Sequence, residues 1–454
     1  ELDPQNTLDT ALRKFRLRLE AEGTELRSAA GDPLALELND LKLGLGGVFD
    51  DSQDHEAWVQ VQADSIHLPD QGLSTGRLNA EVDLDRAFRP LIGRFAVAGV
   101  ELGIPDPVVA PLILDGSFKR RSGGYDVTSH LFMSDGATAL ADISGHYGDD
   151  GSARLEAISR LLLFEPEGLQ PAQLSPRLAP LEEVRGSVTA KASFAWPRDL
   201  VKEHGRLSLS GLSFSGPADG DGLDLSLALD RLLPPASAAA QRLTVRSLDV
   251  GVPLDNIEVA FSLAPKPLLA VEGGGFGLGG ARWHIGPTDL DPAAERNRVV
   301  LGTDALDLAT FFNLIEVGGL SGSGTLKGSL PIVFADGDVI VEDGRFEALG
   351  PGRLSIRFEA LRSALAGGGE TVELAVKALE DFHYENLSLT LSKTAANDAT
   401  LRLSTLGQNP EVLDGQPFQF NINLESNLTS VLEALKQGYS LSDEALRRAW
   451  QLSE

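Results

Sequence analysis

Short segments in which apolar and polar residues alternate strictly are the feature that most constrains the fold of this chain. The clearest is GQPFQFNINLESNL at 415–428, where Phe418, Phe420, Ile422 and Leu424 share one register and polar residues take the other. Successive side chains of a β-strand point to opposite faces of its sheet, so each such segment predicts a strand with one apolar face. The same alternation recurs along most of the chain.

Turn residues and the scarcity of helical patterns favour a mainly antiparallel β fold. Gly, Asp, Asn and Pro recur roughly every 10 to 15 residues between the alternating segments, as in hairpin-connected sheets. Helical spacing predicts helices in 302–316, capped by Asp304 or Asp307, and in 370–382. Two further short helices are expected after Asn427.

One irregular, proline-rich segment interrupts the strands. FEPEGLQPAQLSPRLAPLEEVRG, at 164–186, contains four prolines, which exclude a long helix and indicate a joint. We therefore expect a first β segment over 1–163, the joint at 164–186, a second β segment over 187–427 and a helical cap over 428–454.

Charge and cysteine content exclude several functional classes. With a net charge of −27, the surface repels nucleic acid, so we predict no nucleic-acid partner. The absence of cysteine excludes disulfides, thiolate metal sites and cysteine nucleophiles. No apolar run of about 18 residues is present, so no membrane-spanning helix is predicted. Because the chain begins at Glu1 and its one methionine is Met133, we expect any membrane anchor upstream of Glu1.

Motifs that suggest catalysis or metal binding have a simpler interpretation. GLSTG at 72–76 matches the spacing of a nucleophile elbow, but the pattern that follows is that of a strand instead of a helix. DGDGLD at 219–224 resembles the start of a calcium loop, but Leu223 takes a ligand position, so a hairpin turn is favoured. His383, between acidic residues, fits a structural position at a helix end. We predict no enzyme activity, no catalytic or metal site and no cofactor.

The alternation alone leaves two functional classes open. The apolar faces could bind an apolar ligand, or they could close into the dry sandwich cores of a structural or chaperone-like assembly protein of the envelope. The two classes differ in whether protein side chains fill the apolar faces or leave them open to a ligand.

Several segments resemble the YdbH family of AsmA-like proteins from Gram-negative bacteria. The resemblance covers roughly 164–440 and is most specific at ALEDFHYENLSLTL and GQNPEVLDGQPFQFNINLESNL. All the segments that carry it are 164–190, 247–263, 306–334, 341–358, 378–391 and 407–428.

The resemblance implies the fold and the function together. The fold would be an elongated, twisted antiparallel β-sheet that forms an open hydrophobic groove (a β-taco), with a few short helices and a helical C-terminal tail. Such a protein lies in the periplasm, is anchored in the inner membrane and extends to the outer membrane. It conducts phospholipids between the two membranes, with acyl chains inside the groove and headgroups in solvent.

Partners and lining residues follow from the same resemblance. It implies phospholipid as cargo and a small outer-membrane lipoprotein, YnbE-like, at the C-terminal end, joined by strand addition. Combined with the alternation, it predicts that the groove is lined by apolar residues of the second β segment. These are Leu207, Leu209, Ile257, Val259, Phe261, Leu320, Leu326, Leu330, Ile332, Leu387, Leu389, Leu391, Leu401, Leu403, Phe418, Phe420, Ile422 and Leu424.

Overall fold

A computed structural model describes most of the chain between residues 13 and 427. Within that range it leaves out 22–23, 28–34, 50–55, 69–72, 86, 103–108, 197–202, 233–234, 238, 251, 265–267, 292–293, 316–318, 336–337, 358–369 and 396–397. The helical cap predicted for 428–454 lies outside the described residues.

The described residues form two compact units. Unit 1 is built from the chain up to Ser210 together with Leu227–Leu233, and unit 2 from Gly211–Ser226 together with the chain from Pro234 to Ser453. The predicted class, mainly antiparallel β with an open sheet and a few short helices, is confirmed.

The strands of the first half of the chain, as far as Leu229, are β1 Arg13–Ala21, β2 Thr24–Arg27, β3 Ala35–Asn39, β4 Leu41–Phe49, β5 Glu56–Ala63, β6 Ser65–Leu68, β7 Leu73–Thr75, β8 Leu78–Leu84, β9 Pro90–Leu102, β10 Leu112–Arg121, β11 Gly124–Met133, β12 Ala139–Gly148, β13 Ala153–Ser159, β14 Leu162–Phe164, β15 Glu182–Trp196, β16 His204–Ser215 and β17 Asp219–Leu229. The strands of the second half are β18 Gln241–Asp249, β19 Pro253–Ala264, β20 Leu268–Leu278, β21 Ala281–Ile285, β22 Thr288–Leu290, β23 Arg296–Asp307, β24 Leu320–Ser323, β25 Thr325–Ala335, β26 Asp338–Ala348, β27 Gly352–Ile356, β28 Phe382–Lys393, β29 Asp398–Gln408 and β30 Pro417–Asn427. The helices are α1 Pro171–Leu174, α2 Leu308–Leu314 and α3 Glu370–Glu380.

The main sheet of unit 1 is an antiparallel array in which most neighbours are also close in sequence. Its order is β1, β4, β5, β8, β9, β10, β11, β12, β13, β15. Among the described pairings none joins β1 to β15, so this sheet is open.

Unit 1 contains a second, smaller sheet, and the chain bends at each point where it passes from one sheet to the other. Strands β2, β3, β6, β7 and the end of β9 form it, each antiparallel to the next. The chain passes from one sheet to the other at Asp40, Asp64, Gly76 and Gly99, of which Gly99 has a φ of 64°. Glycine adopts this left-handed conformation without steric cost, so β9 can serve both sheets.

In the proline-rich segment 164–186, one glutamine side chain contacts several backbone groups. Gln170, just before α1, accepts a hydrogen bond at Oε1 from the Val184 N–H (2.9 Å) and donates from Nε2 to the Val184 oxygen (3.0 Å). Its Nε2 also donates to the Glu165 oxygen at 2.6 Å. The Gln170 side chain therefore provides hydrogen-bond partners for backbone groups of Glu165 and Val184, in a segment where the prolines have no N–H to donate.

The sheet of unit 2 is also antiparallel. Its order is β17, β18, β19, β20, β21, β23, β25, β26, β28, β29, β30. The short strand β22 pairs with β20, and β24 and β27 pair with each other before β27 joins β28.

The two helices predicted in this part of the sequence are present as α2 and α3, but residues 302–307 of the first predicted segment end β23 instead of starting the helix. Asp307 and not Asp304 caps α2, because Asp307 Oδ1 accepts the Thr310 N–H at 2.8 Å. At the other helix, the buried Asn409 donates from Nδ2 to the oxygen of Lys377, in the last turn of α3, at 3.2 Å. Both contacts satisfy backbone groups at helix ends that would otherwise lack partners.

Candidate functional site

An apolar face extends across the main sheet of unit 1. Cross-strand registry places apolar or small side chains opposite one another from β4 to β15. One row of this face is Leu45, Val59, Val82, Gly93, Phe118, Val127, Gly145, Leu155 and Phe194, and a second is Leu43, Val61, Ala80, Phe95, Gly116, Ser129, Ile143, Ala157 and Ala192. These rows are called the unit 1 face below.

Described residues leave the unit 1 face partly accessible. Val59, Val82, Phe118 and Val127 are half-buried, and Leu155 is 40% exposed. Among the described residues, no buried hydrophobic cluster covers the middle of this face. A small buried cluster around Leu41 and Ala63 fills only the region next to the bends.

Two phenylalanines cover glycines on this face. A side chain at Gly93 would meet the Phe118 ring 2.5 Å away, and one at Gly116 would meet the Phe95 ring at 2.6 Å. The rings therefore lie across the neighbouring strands instead of standing upright. The result is a smooth apolar surface on which aromatic carbon replaces the missing side chains.

The opposite face of the same strands is mostly polar, and its side chains are exposed or half-buried. In register with one another stand Gln60, Glu81, Arg94, Ser117, Thr128, Ser144, Glu156 and Ser193. His146 Nδ1 lies 2.9 Å from Asp126 Oδ1, and this contact, with a weaker one from Arg121, lowers the pKa of Asp126. His130 and Arg160 lower the pKa of Asp142 in the same way. These carboxylates stay charged near neutral pH and keep this face hydrated.

A second apolar face crosses unit 2 in continuous registry. Its central row is Phe276, Trp283, Thr303, Gly328, Phe346, Leu389, Leu403 and Ile422, and a row beside it on the last strands is Gly344, Leu391, Leu401 and Leu424. These residues are called the unit 2 face below.

Side chains of the protein itself fill the middle of the unit 2 face. Leu389 and Phe346 are each 1% exposed and belong to one large core cluster. Phe311 of α2 lies over Phe346, with ring centroids 4.9 Å apart, and the rings of Phe311 and Phe312 are 5.9 Å apart. Ala378 and Leu379 of α3 are buried as well. At this position the alternation therefore reflects a dry core.

The last strand of unit 2 is less covered. Phe418, Phe420, Ile422 and Leu424 on β30 are half-buried and pack against the edge of the core cluster. Phe420 meets Phe382 edge-on at 5.2 Å, and Phe418 stacks on Phe420 at 5.8 Å.

The structure divides the predicted lining residues between buried and accessible positions, and their contact with lipid stays a prediction. Buried in the core of unit 2 are Leu326, Ile332, Leu387, Leu389, Leu391, Leu401 and Leu403. Half-buried are Leu207, Leu209, Ile257, Val259, Phe261, Leu320, Leu330, Phe418, Phe420, Ile422 and Leu424.

Sequence reasoning nominated no residue of the unit 1 face as lining. The alternation was visible there, for example in Val59 and Val61, and in Val127 and Leu131. What the pattern could not supply is how far the described residues leave this face accessible, because that depends on residues distant in sequence.

The motifs that suggested chemistry take structural positions. Ser74 of the GLSTG segment lies on β7, where its Oγ is 2.9 Å from His67 Nδ1 across the strand pair, and no helix follows it. The DGDGLD segment starts β17 instead of forming a turn, since Asp219 pairs with Asp249 and the chain continues as a strand. His383 follows α3 at the start of β28, as expected of a residue at a helix end.

Two further negative findings concern only the described residues. None of their His, Asp and Glu side chains form a group that could hold a metal ion. None of their helices combines the length and the apolar character that crossing a membrane requires.

Comparison with known proteins gives one match. The family model described as YdbH-like, Intermembrane phospholipid transport protein YdbH, matches residues 135–449. No curated protein and no solved structure matches the chain.

Proposed function

The chain belongs to the YdbH-like family of intermembrane phospholipid transport proteins, whose model covers more than half of it, and from this membership we propose that its apolar faces carry phospholipid acyl chains. The headgroups remain in solvent. Each face would provide hydrophobic groove surface for a bridge-like protein that conducts phospholipids between the inner and outer membranes.

The accessible unit 1 face supports this proposal most directly. Moving an acyl chain from a bilayer into water costs about 0.8 kcal/mol of free energy for each methylene that becomes exposed. Unassisted departure of a phospholipid from a bilayer is therefore slow. A wide, half-exposed aliphatic and aromatic surface lowers that cost without any catalytic group. Half-buried residues such as Val82 and Val127 offer such a surface, while exposed residues such as Thr128 and Glu81 keep the other face wet.

The buried core of unit 2 favours the alternative for that part of the chain. A face in which Leu326 is 0% exposed resembles the dry core of a structural or assembly protein. Transport along the unit 1 face and structural support from the middle of unit 2 are compatible within one molecule. The experiment below separates them by position.

Photo-crosslinking is expected to capture phospholipid on the unit 1 face. A photoreactive amino acid at Phe118 or Val127 should give a covalent lipid adduct in the purified protein, because both side chains are half-buried on the apolar face. Mass spectrometry would detect the adduct. We expect the same at Phe420 on β30 and none at Leu389, which is closed off by protein.

Matched control positions lie on the opposite face of the same strands. Lys119, Thr128 and Asn421 are exposed neighbours of the test positions and should give no adduct. Equal capture on both faces, or no capture at Phe118 and Val127, would contradict the proposed function. Adducts at neither Phe118 nor Val127 but a stable fold would favour the assembly-protein alternative.

We also propose that the free edge of β30 binds a small outer-membrane lipoprotein, YnbE-like, by strand addition. Among the described strands only β29 pairs with β30, so its other edge offers unpaired N–H and C=O groups. Adjacent residues of an antiparallel strand direct these groups to opposite edges.

Proline substitution tests that edge. Of Asn421→Pro and Ile422→Pro, one removes an N–H that points to β29 and the other removes one that points away. The variant that retains its fold should lose co-purification of the lipoprotein. If that stable variant still captures the lipoprotein, strand addition at β30 is wrong.

The family is one of envelope proteins, and the finer location is part of the proposal. We propose a periplasmic protein that is anchored in the inner membrane through a segment upstream of Glu1 and that reaches the outer membrane. Exposed carboxylates such as Asp126 and Asp142, whose pKa values are lowered, fit a body that stays dissolved between the membranes.

A further inference from the structure

Helix α2 lies on the unit 2 face as a separate short element. It connects β23 to β24, and its buried side chains are Leu308, Phe311 and Phe312. Its contact with the sheet includes the ring of Phe311 over that of Phe346. Phe346 in turn meets Trp283 edge-on at 6.3 Å, and Trp283 stacks on Phe276 at 6.4 Å. An aromatic surface thus stands beneath the helix.

One polar atom in this surface has no partner among the described residues. Trp283 is 4% exposed, and its Nε1 makes no hydrogen bond with the described residues. Buried tryptophan N–H groups normally find an acceptor, because a buried donor without a partner loses its hydrogen bonds to water and gains none in return. A phospholipid carries the acceptors that an apolar core lacks, namely its ester carbonyl oxygens.

We propose that Phe276, Trp283 and Phe346 form a phospholipid subsite and that α2 occupies this subsite when no lipid is bound. Bound acyl chains take the place of Phe311, and an ester carbonyl accepts the hydrogen bond of Trp283 Nε1. This inference rests on the proposed function and extends it into unit 2. The region around Phe346 is a dry core while α2 lies on it, and lipid reaches it only when Phe311 moves away.

The connectivity favours movement of α2 over movement of the sheet. Each residue of the subsite lies on a strand with paired neighbours on both sides, so displacing it would break a ladder. The helix is held to the sheet largely by side-chain packing. Its N-terminal end is fixed by the Asp307 cap and by the hydrogen bond from the Leu308 N–H to the Gly324 oxygen at 2.9 Å.

A disulfide can hold α2 in place reversibly. A β-carbon built on Gly279 lies 3.9 Å from the Cβ of Thr310 on α2, within the range of about 3.5–4.5 Å that disulfides require. The chain has no cysteine, so Gly279→Cys with Thr310→Cys allows only this bond. The two single variants are the controls, because Gly279 has a φ of 61° that strains any other residue.

Trp283 itself can report the arrival of lipid. Replacing Trp58, Trp196 and Trp450 with phenylalanine leaves it as the single tryptophan. The probe is vesicles of phosphatidylethanolamine and phosphatidylglycerol with brominated acyl chains, which quench tryptophan fluorescence on contact. A second protein, in which Trp283→Phe is combined with Phe118→Trp, reports lipid on the unit 1 face.

Reduced double-cysteine protein should show Trp283 quenching, oxidised protein should lose it, and the Phe118→Trp reporter should be quenched in both states. Quenching of Trp283 that is equal in the two states would overturn the inference, because lipid would then arrive without displacing α2. Absence of Trp283 quenching in both states, with the Phe118→Trp reporter quenched, would overturn it too and leave the proposed function standing. Absence of quenching at both reporters would overturn the proposed function as well.

A second variant tests the inference should the double-cysteine protein fail to fold. Phe311→Ala removes the ring that lies on Phe346 and should increase Trp283 quenching at the same lipid concentration. Unchanged quenching in this variant would contradict the displacement of α2.

Discussion

Replacing Leu389 with aspartate is expected to unfold unit 2. Leu389 is 1% exposed on β28, in register with Phe346 on one side and Leu403 on the other. A carboxylate there would be buried without a partner and would leave a gap in the packing. Each effect alone costs several kcal/mol, so we expect a loss of more than about 4 kcal/mol in the free energy of unfolding. Urea denaturation followed by circular dichroism would measure it.

The adjacent residue provides the control for this substitution. Ser388 is exposed on the other face of β28, so Ser388→Asp should change the free energy of unfolding by no more than about 0.5 kcal/mol. If Leu389→Asp instead left the stability unchanged, the middle of the unit 2 face could not be a dry core.

Replacing Val127 with aspartate should have the opposite consequence, namely loss of lipid binding with the fold retained. Val127 is half-buried on the unit 1 face, so the new carboxylate can stay hydrated in the lipid-free protein, and we expect a stability loss of about 1 kcal/mol. A bound acyl chain would have to dehydrate it. That costs well over the 1.4 kcal/mol that corresponds to a tenfold change, so lipid affinity should fall at least about tenfold.

Binding of a fluorescent phospholipid to the purified chain would measure this effect. Thr128→Asp, on the exposed face of the same strand, should bind lipid like the unsubstituted protein. Unchanged affinity in Val127→Asp would exclude that part of the unit 1 face from the lipid path. Loss of affinity in Thr128→Asp would show that charge and not position determines binding.

Strand identity was predictable from the sequence where one register holds throughout a strand. Leu387, Leu389 and Leu391 alternate with Ser388 and Thr390, and all five lie on β28 with the leucines buried. The pattern is sufficient there because a sheet with two unlike faces requires period two. Helix α2 was predictable for a similar reason, since its apolar spacing and the Asp307 cap are both local.

Changes of register within a strand were harder to see. In β28, Phe382 and Tyr384 face the core on even positions, and the core continues at Leu387 on odd positions. A bulge between Tyr384 and Asn386 in the pairing with β29 accounts for the shift. An extra residue of this kind reverses the faces of all residues beyond it, and no local residue pattern announced it.

The difference between the two faces could not be read from the sequence at all. Val127 and Leu389 occupy alternating segments of the same quality, yet one is half-buried and the other is buried. Leu389 belongs to a large core cluster, and Phe311 of α2, distant in sequence, lies over its register neighbour Phe346. An apolar register indicates only that its side chains avoid water. It does not indicate whether protein or lipid covers them.

The arrangement of the strands in unit 1 affects how cooperatively this unit unfolds. Because most described strands there touch only the strands beside them, the sheet is close to a one-dimensional array, in which stability is a sum of local terms. Amide hydrogen exchange should then be graded, fastest at the outermost strands and slowest in the middle, without a single global transition. A whole hairpin could be gained or lost in evolution with little effect on strands farther away, lengthening or shortening the sheet by about 10 Å at a time.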